Sequence, residues 1–130
     1  MILFLEDWAK YPTAIADTKT TNESFLRMAQ MYKQLGVKNH AFMLALLQPE
    51  LQGVDPFADN LTQDQCLMIA LECKWNPWYF FREVLRIPVQ GLMHPVRFKA
   101  NRGNLALYFT FFCNIDVALI QPRQTGKSVS

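Results

Sequence analysis

A short apolar run that leads directly into a glycine–lysine–serine turn constrains the fold of this chain more than any other feature. Residues 116–120 read Asp-Val-Ala-Leu-Ile, which is largely apolar and shows no alternation with polar residues. Such a run is typical of a strand buried on both faces of a parallel sheet. Because an isolated parallel strand is not stable, the pattern predicts that its partner strands lie beyond Ser130.

The turn after this run carries residue types that a phosphate-binding loop requires. A glycine lets the backbone approach the phosphates, a lysine meets their charge, and a hydroxyl reaches Mg²⁺. Gly126, Lys127 and Ser128 supply these three groups, although Gln121 replaces the usual first glycine. The motif therefore predicts ATP and Mg²⁺ as cofactors, with the Ser128 hydroxyl as a metal ligand. The alternative is a polar turn with a surface lysine.

The preceding hundred residues show helical patterns. Helices are predicted at residues 22–36, 39–49, 62–71, 76–85 and 105–112, from apolar residues at three- and four-residue steps and from capping residues at their ends. The predicted fold is mostly α over residues 1–100. That region leads into the first strand and phosphate loop of an α/β P-loop NTPase domain, which residues 101–130 begin and leave truncated.

Composition excludes several classes of protein. Hydrophobic residues make up 51% of the chain, which is too many for a disordered tail. The net charge is only +2, without a basic stripe of the kind that dedicated DNA-binding modules show. Cys66, Cys73 and Cys113 form no CxxC pair, so we expect neither a disulfide framework nor a zinc site. No apolar run is long enough for a membrane span, so we expect a protein without a membrane partner.

Residues 74–86 have simple structural interpretations. The aromatic residues of this stretch are expected in the core rather than as a base-stacking platform, because few Lys or Arg residues are interleaved with them. Arg82, Glu83 and Arg86 are interpreted as a solvated helical face.

Cys66 and Cys73, seven residues apart, lie on one helical face and are interpreted as core residues.

Residues 122–128, Pro-Arg-Gln-Thr-Gly-Lys-Ser, resemble the variant Walker A loop of the large terminase subunits of tailed bacteriophages. In that family an arginine lies early in the loop and the first glycine is often missing. The resemblance implies that Arg123 senses the γ-phosphate as a catalytic residue. It also implies nucleotide contacts along the whole loop, namely Gln121, Pro122, Arg123, Gln124, Thr125, Gly126, Lys127 and Ser128.

The family also has an adenine-recognising segment upstream of the loop lysine, with a glutamine before an apolar helix. Asn104 occupies the matching position here and is the residue that the resemblance assigns to adenine. An asparagine has the same amide on a shorter side chain. Its alternative role is that of a helix N-cap. Residues 76–88, and more loosely 36–39 and 53–57, also look like segments that precede the family's ATPase core.

The resemblance implies the N-terminal part of an ATP-dependent motor that moves double-stranded DNA into a procapsid. Implied partners are DNA, the portal protein and the small terminase subunit, with a homo-oligomeric ring at full length. The implied location is the host cytoplasm, transiently at the portal vertex. The motor's acidic Walker B pair and nuclease carboxylates are absent from these 130 residues, so we do not expect enzyme activity from them alone. The alternatives are a piece of another P-loop ATPase or helicase, or a non-enzymatic helical interaction module.

Overall fold

Four α-helices and two short antiparallel sheets make up the part of the chain that the computed structural model describes, residues 10–118. The helices are α1 (Glu23–Gln34), α2 (Gln63–Trp75), α3 (Pro77–Tyr79) and α4 (Arg102–Phe112). The strands are β1 (Ile15–Ala16), β2 (Ala45–Leu46), β3 (Arg86–Ile87) and β4 (Val96–Arg97). Short 3₁₀ helices cover Phe42–Leu44 and Pro49–Leu51, and a π-helical turn, called the π turn below, covers Phe80–Val84.

Helix α1 confirms the first predicted helix. It buries Phe25, Met28 and Ala29, which recur at the spacing of one helical face. Gly36 follows it with a φ of +79°, a conformation that a residue with a side chain adopts only under strain. Asn22 occupies the N-cap position as predicted, but its side chain makes no capping bond because it is used elsewhere.

Helix α2 confirms the predicted capping box. The Thr62 hydroxyl accepts the Gln65 backbone N–H, while the Gln65 side chain accepts the Thr62 N–H. The helix runs to Trp75, further than the pattern indicated. The interpretation of Cys66 as a core residue is wrong, because Cys66 is exposed. Cys73 is half-buried and packs with the cluster around Leu46.

Asn76 and Pro77 start the next helix as predicted. The Asn76 side chain accepts the Tyr79 backbone N–H, and Pro77 stands at the first helical position, where it needs no donor. After one turn the helix widens into the π turn, which the sequence pattern did not indicate.

The helix predicted for residues 39–49 is wrong, because this segment is a 3₁₀ turn followed by β2. Residues 42–47 are all buried, so their backbone groups need partners in the protein. β2 pairs antiparallel with β1, and the Leu47 N–H donates to the Glu72 carboxylate at 2.7 Å. Asn76 donates to the Ala45 carbonyl at 2.7 Å. These long-range bonds outweigh the local helical pattern.

The sequence pattern did not indicate the hairpin that follows the π turn. β3 pairs with β4, Arg86 opposite Arg97 and Ile87 opposite Val96. The loop between the two strands includes Gly91 with a φ of +86°. This hairpin directs the chain towards the start of α4.

The largest core cluster joins α1, the 3₁₀ turn, α3 and α4 through Phe25, Met43, Trp78, Leu105 and Tyr108. Aromatic rings bridge these elements: Phe81 stacks on Tyr108 with centroids 4.3 Å apart. Helix α4 therefore packs on the same core as the residues before it. The domain boundary at residue 100 stays a prediction.

Among residues 10–118 no helix is long and apolar enough to cross a lipid bilayer.

Candidate functional site

The predicted phosphate loop, residues 121–128, lies outside the described residues, and so does the end of the predicted strand. Residues 115–118 are described and show no strand pairing. Ile115 and Val117 are 51% and 41% exposed. The strand and the loop both stay predictions.

The start of α4 holds the residue that the resemblance assigns to adenine. Asn101 is the N-cap, and its side chain accepts the Asn104 backbone N–H at 2.9 Å. The Asn104 carboxamide accepts the Asn101 N–H at 2.8 Å and donates to the Lys99 carbonyl at 3.1 Å. Asn104 is therefore the third residue of the helix and completes a capping box. Its role towards adenine stays a prediction, and both polar ends of its amide are bonded within the chain.

A shallow groove of about 600 Å³ runs between α1 and the start of α4. Its lining residues are Ser24, Arg27, Met28, Met31, Lys99, Ala100, Asn101, Arg102 and Gly103. The lining contains three cationic side chains and no acidic one. The volume is within the range of small-molecule sites, and the N-terminal end of α4 adds a partial positive charge. The groove therefore suits an anionic ligand that also has an apolar part.

A buried chain of hydrogen bonds holds the segment that leads into α4. The Ala100 N–H donates to the Ser24 hydroxyl at 3.0 Å, and that hydroxyl donates to the Asn22 side-chain oxygen at 2.7 Å. The Asn22 amide nitrogen then donates to two backbone carbonyls, those of Arg82 and Phe98, at 2.9 and 3.0 Å. Asn22 thus connects the start of α1 to the π turn and to Phe98, the residue after β4. These contacts position the groove.

A second polar cluster lies behind this network, around the buried guanidinium of Arg82. Arg82 is 0% exposed and donates to the Met43 carbonyl at 2.8 Å, the Ala45 carbonyl at 3.3 Å and the Glu83 carboxylate at 3.1 Å. The Asp17 carboxylate lies 3.7 Å away. The Thr20 hydroxyl donates to Glu83 in a short hydrogen bond. We call Asp17, Thr20, Arg82 and Glu83 the Arg82 cluster.

The Arg82 cluster corrects the interpretation of residues 82–86 as a solvated helical face. Arg82 and Glu83 are buried and Arg86 is half-buried. The sequence carried no signal of this burial, because the carbonyls that satisfy Arg82 belong to β2 and the preceding turn. Arg27 was also missed as a groove residue, since only folding brings α1 next to Lys99 and Arg102.

Asp17 has an altered acidity. Burial raises the pKa of its carboxyl above the ordinary value, and the nearby Arg82 only partly opposes this. A cavity of about 130 Å³ beside the cluster is lined by Asp17, Thr20 and Glu83 together with Arg97 and the loop at residues 51–55. Within residues 10–118 no cluster of His, Cys, Asp or Glu is able to hold a metal ion. The cationic groove, at about 600 Å³, has the volume of a small-molecule site and is the candidate ligand site.

No protein-family model, curated protein or solved structure matches this chain.

Proposed function

We propose that this chain is the N-terminal part of a phage large terminase subunit, an ATP-dependent motor that moves double-stranded DNA into a procapsid. The single observation in the described residues that favours it is the cationic groove at the start of α4. Asn101, Arg102 and Gly103, which directly precede the residue that the resemblance assigns to adenine, line this groove, whereas Asn104 itself does not. A nucleotide has the anionic phosphates and the flat base that such a groove accommodates.

In this proposal the two nucleotide-binding parts have separate roles. The groove takes the adenosine end and the α-phosphate, with the base against the apolar side chains of Met28 and Met31 and the α-phosphate near the cationic side chains. Residues 121–128 take the β- and γ-phosphates, with Lys127 meeting their charge, Arg123 sensing the γ-phosphate and Ser128 holding Mg²⁺. Bound ATP supplies the free energy for translocation when its terminal phosphate is transferred to water. DNA, the portal protein and the small terminase subunit are the proposed partners of the full-length ring.

Nuclear magnetic resonance titration of the ¹⁵N-labelled chain tests the groove directly. Adding AMP should shift the backbone amide signals of Lys99, Gly103 and Asn104, whereas inorganic pyrophosphate alone should move them much less. Arg102→Ala should weaken AMP binding about tenfold, as expected for the loss of one charge-assisted contact. Lys38→Ala removes an exposed lysine away from the groove and should leave binding unchanged.

The loop residues are tested by ATP rather than AMP, in the longer protein that contains the remaining ATPase motifs. Lys127→Ala should abolish ATP turnover. Arg123→Ala should leave ATP binding largely intact and reduce hydrolysis. Wild-type turnover in the Lys127 variant would remove the ATPase assignment, and a chain that shifts with neither AMP nor ATP would favour the non-enzymatic interaction module.

A further inference from the structure

The solvent side of α2 is unusually apolar. Leu67, Leu71 and Trp75 are 60%, 44% and 44% exposed, and they follow one another at four-residue steps. The opposite side of the helix packs on the protein through Met68, Ile69 and Glu72. A helix on the surface of a globular protein normally turns polar residues to water. An apolar stripe of this kind indicates a contact surface.

The same side of α2 carries one charge of each sign, one near each end. Asp64 lies in the first turn and Lys74 in the last turn. With 3.6 residues per turn, these two residues and the three apolar ones fall within an arc of about 100°. The Lys74 ammonium lies 5.2 Å from the centre of the Trp75 ring. We call these five residues the α2 stripe.

We propose that a second copy of this chain covers the α2 stripe, with the two α2 helices antiparallel about a two-fold axis. In this arrangement Leu67 of each copy lies opposite Leu71 of the other. The same register places Asp64 of each copy opposite Lys74 of the other, because both pairs have the same midpoint along the helix. A two-fold contact uses the same patch on both copies, and the stripe complements itself.

The charges of the α2 stripe indicate both the identity of the partner and the relative direction of the two helices. In an antiparallel pair both ends of the stripe form opposite-charge contacts, and the helix dipoles oppose each other favourably. In a parallel pair Asp64 would face Asp64 and Lys74 would face Lys74, which is destabilising. An unrelated partner would not need an acid and a base placed symmetrically about the leucines.

The size of the stripe sets the strength of the contact. A helix of 13 residues is about 20 Å long, so the pair buries less than the roughly 1,200–2,000 Å² of stable interfaces. The dimer is therefore weak, and it forms in a concentration-dependent equilibrium with the monomer. This proposal does not depend on the nucleotide function, since α2 contributes no residue to the groove.

Analytical ultracentrifugation over a micromolar to millimolar series tests the proposal. The wild-type chain should rise from the mass of one copy to that of two. Leu71→Ser should stay at one copy throughout, because it places a hydroxyl in the apolar contact. Leu35→Ser is the matched control, since Leu35 is 62% exposed at the end of α1. It should dimerise like the wild type.

Charge exchange tests the antiparallel register. Asp64→Lys and Lys74→Asp should each weaken dimerisation about tenfold, because each converts two attractive pairs into repulsive ones. The variant with both changes should recover the wild-type constant, since every pair is again of opposite sign. A wild-type chain that stays monomeric throughout overturns the proposal, as does a Leu71→Ser variant that dimerises normally. Failure of the doubly exchanged variant to recover overturns the antiparallel register.

Discussion

The Arg82 cluster and the α2 stripe reverse the usual distribution of polar and apolar residues. The cluster buries a guanidinium and two carboxylates, whereas the stripe exposes two leucines and a tryptophan. The difference follows from the groups that each side chain contacts in the folded protein. Arg82 meets two backbone carbonyls and Glu83, so its burial leaves few donors unpaired. Within the described part of the chain no comparable apolar surface covers the outer side of Leu71, which is 44% exposed.

The comparison shows that hydrophobicity alone does not decide burial in this protein. A buried charge is tolerated where hydrogen bonds replace those that water made. Glu72 gives a second example: it is 0% exposed, and its carboxylate accepts the backbone N–H groups of Leu47 and Gln48 and the amide of Asn76. An apolar side chain of α2 is exposed where no other part of residues 10–118 covers it. Four substitutions of buried polar residues test this explanation.

Arg82→Ala should have the largest effect. Removing the guanidinium leaves the Asp17 and Glu83 carboxylates buried without their cation and takes a donor from the Met43 carbonyl, so we expect a loss of about 3–5 kcal/mol in the free energy of unfolding. Urea denaturation followed by circular dichroism measures it. Arg27→Ala, which removes an exposed arginine, should change stability by less than about 0.5 kcal/mol. A similarly small change for Arg82→Ala would mean that the cluster is not buried.

Asn22→Ala should have the next largest effect. It deletes the amide that donates to the Arg82 and Phe98 carbonyls, and both acceptors stay buried, so a loss of about 1–3 kcal/mol is expected. The signals of Lys99 and Gly103 in the groove should shift as well, because Ser24 loses its acceptor. Asn60→Ala, at an exposed position, is the control. An unchanged groove in the Asn22 variant would show that this network does not position it.

Tyr79→Phe should stabilise the protein by about 1 kcal/mol. Within the described residues the Tyr79 hydroxyl is buried without a hydrogen-bond partner, unlike the groups of Arg82. Phenylalanine keeps the ring, which packs with Leu46 and Leu51, and removes the unpaired hydroxyl. Thermal and urea unfolding should both show the gain. A clear destabilisation would indicate that the hydroxyl has a partner such as a bound water molecule.

Of the four substitutions, Asp17→Asn should have the smallest effect on stability at acid pH. It should also change how stability depends on pH. The pKa of Asp17 is raised in the folded protein, so the folded state holds the proton more tightly than the unfolded state. The stability that this group contributes is therefore lost as pH rises from the ordinary aspartate pKa through the raised one. Asparagine cannot ionise, so the variant should become more stable relative to the wild type over that pH interval. A stability profile of Asp17→Asn that runs parallel to that of the wild type over this pH range would contradict the raised pKa.

Local signals in the sequence predicted the capped helices correctly. Thr62 with Gln65, Asn76 with Pro77, and the apolar steps after Asn22 each involve residues within one or two helical turns. The failures involve long-range contacts. Residues 42–47 carry a pattern compatible with a helix, yet bonds to β1, Glu72 and Asn76 make them a turn and a strand.

The candidate site also combines features that the sequence predicted with features that it did not predict. The sequence placed Asn104 at the start of an apolar helix and predicted a phosphate loop at residues 121–128, which lie outside the described residues. It did not indicate Arg27 as a neighbour of Lys99 and Arg102, because the contact between Ser24 and Ala100 closes a span of 76 residues. Nor did it indicate that the Asn104 amide is bonded at both ends.

The starts of α1, α2 and α3 could be predicted from the sequence alone, because capping residues and first-turn prolines act over a few residues of the chain. The sequence also determined the chemistry of the proposed nucleotide site, because glycine, lysine and serine have their properties wherever they lie. Only the tertiary structure decided that Arg82 and Glu83 are buried, that α1 and α4 share a cationic groove, and that α2 keeps an apolar face towards water. These outcomes depend on contacts between residues that are far apart in the sequence. The burial of a charge is favourable only where hydrogen-bond partners are present, and the burial of a leucine requires an apolar surface that covers it.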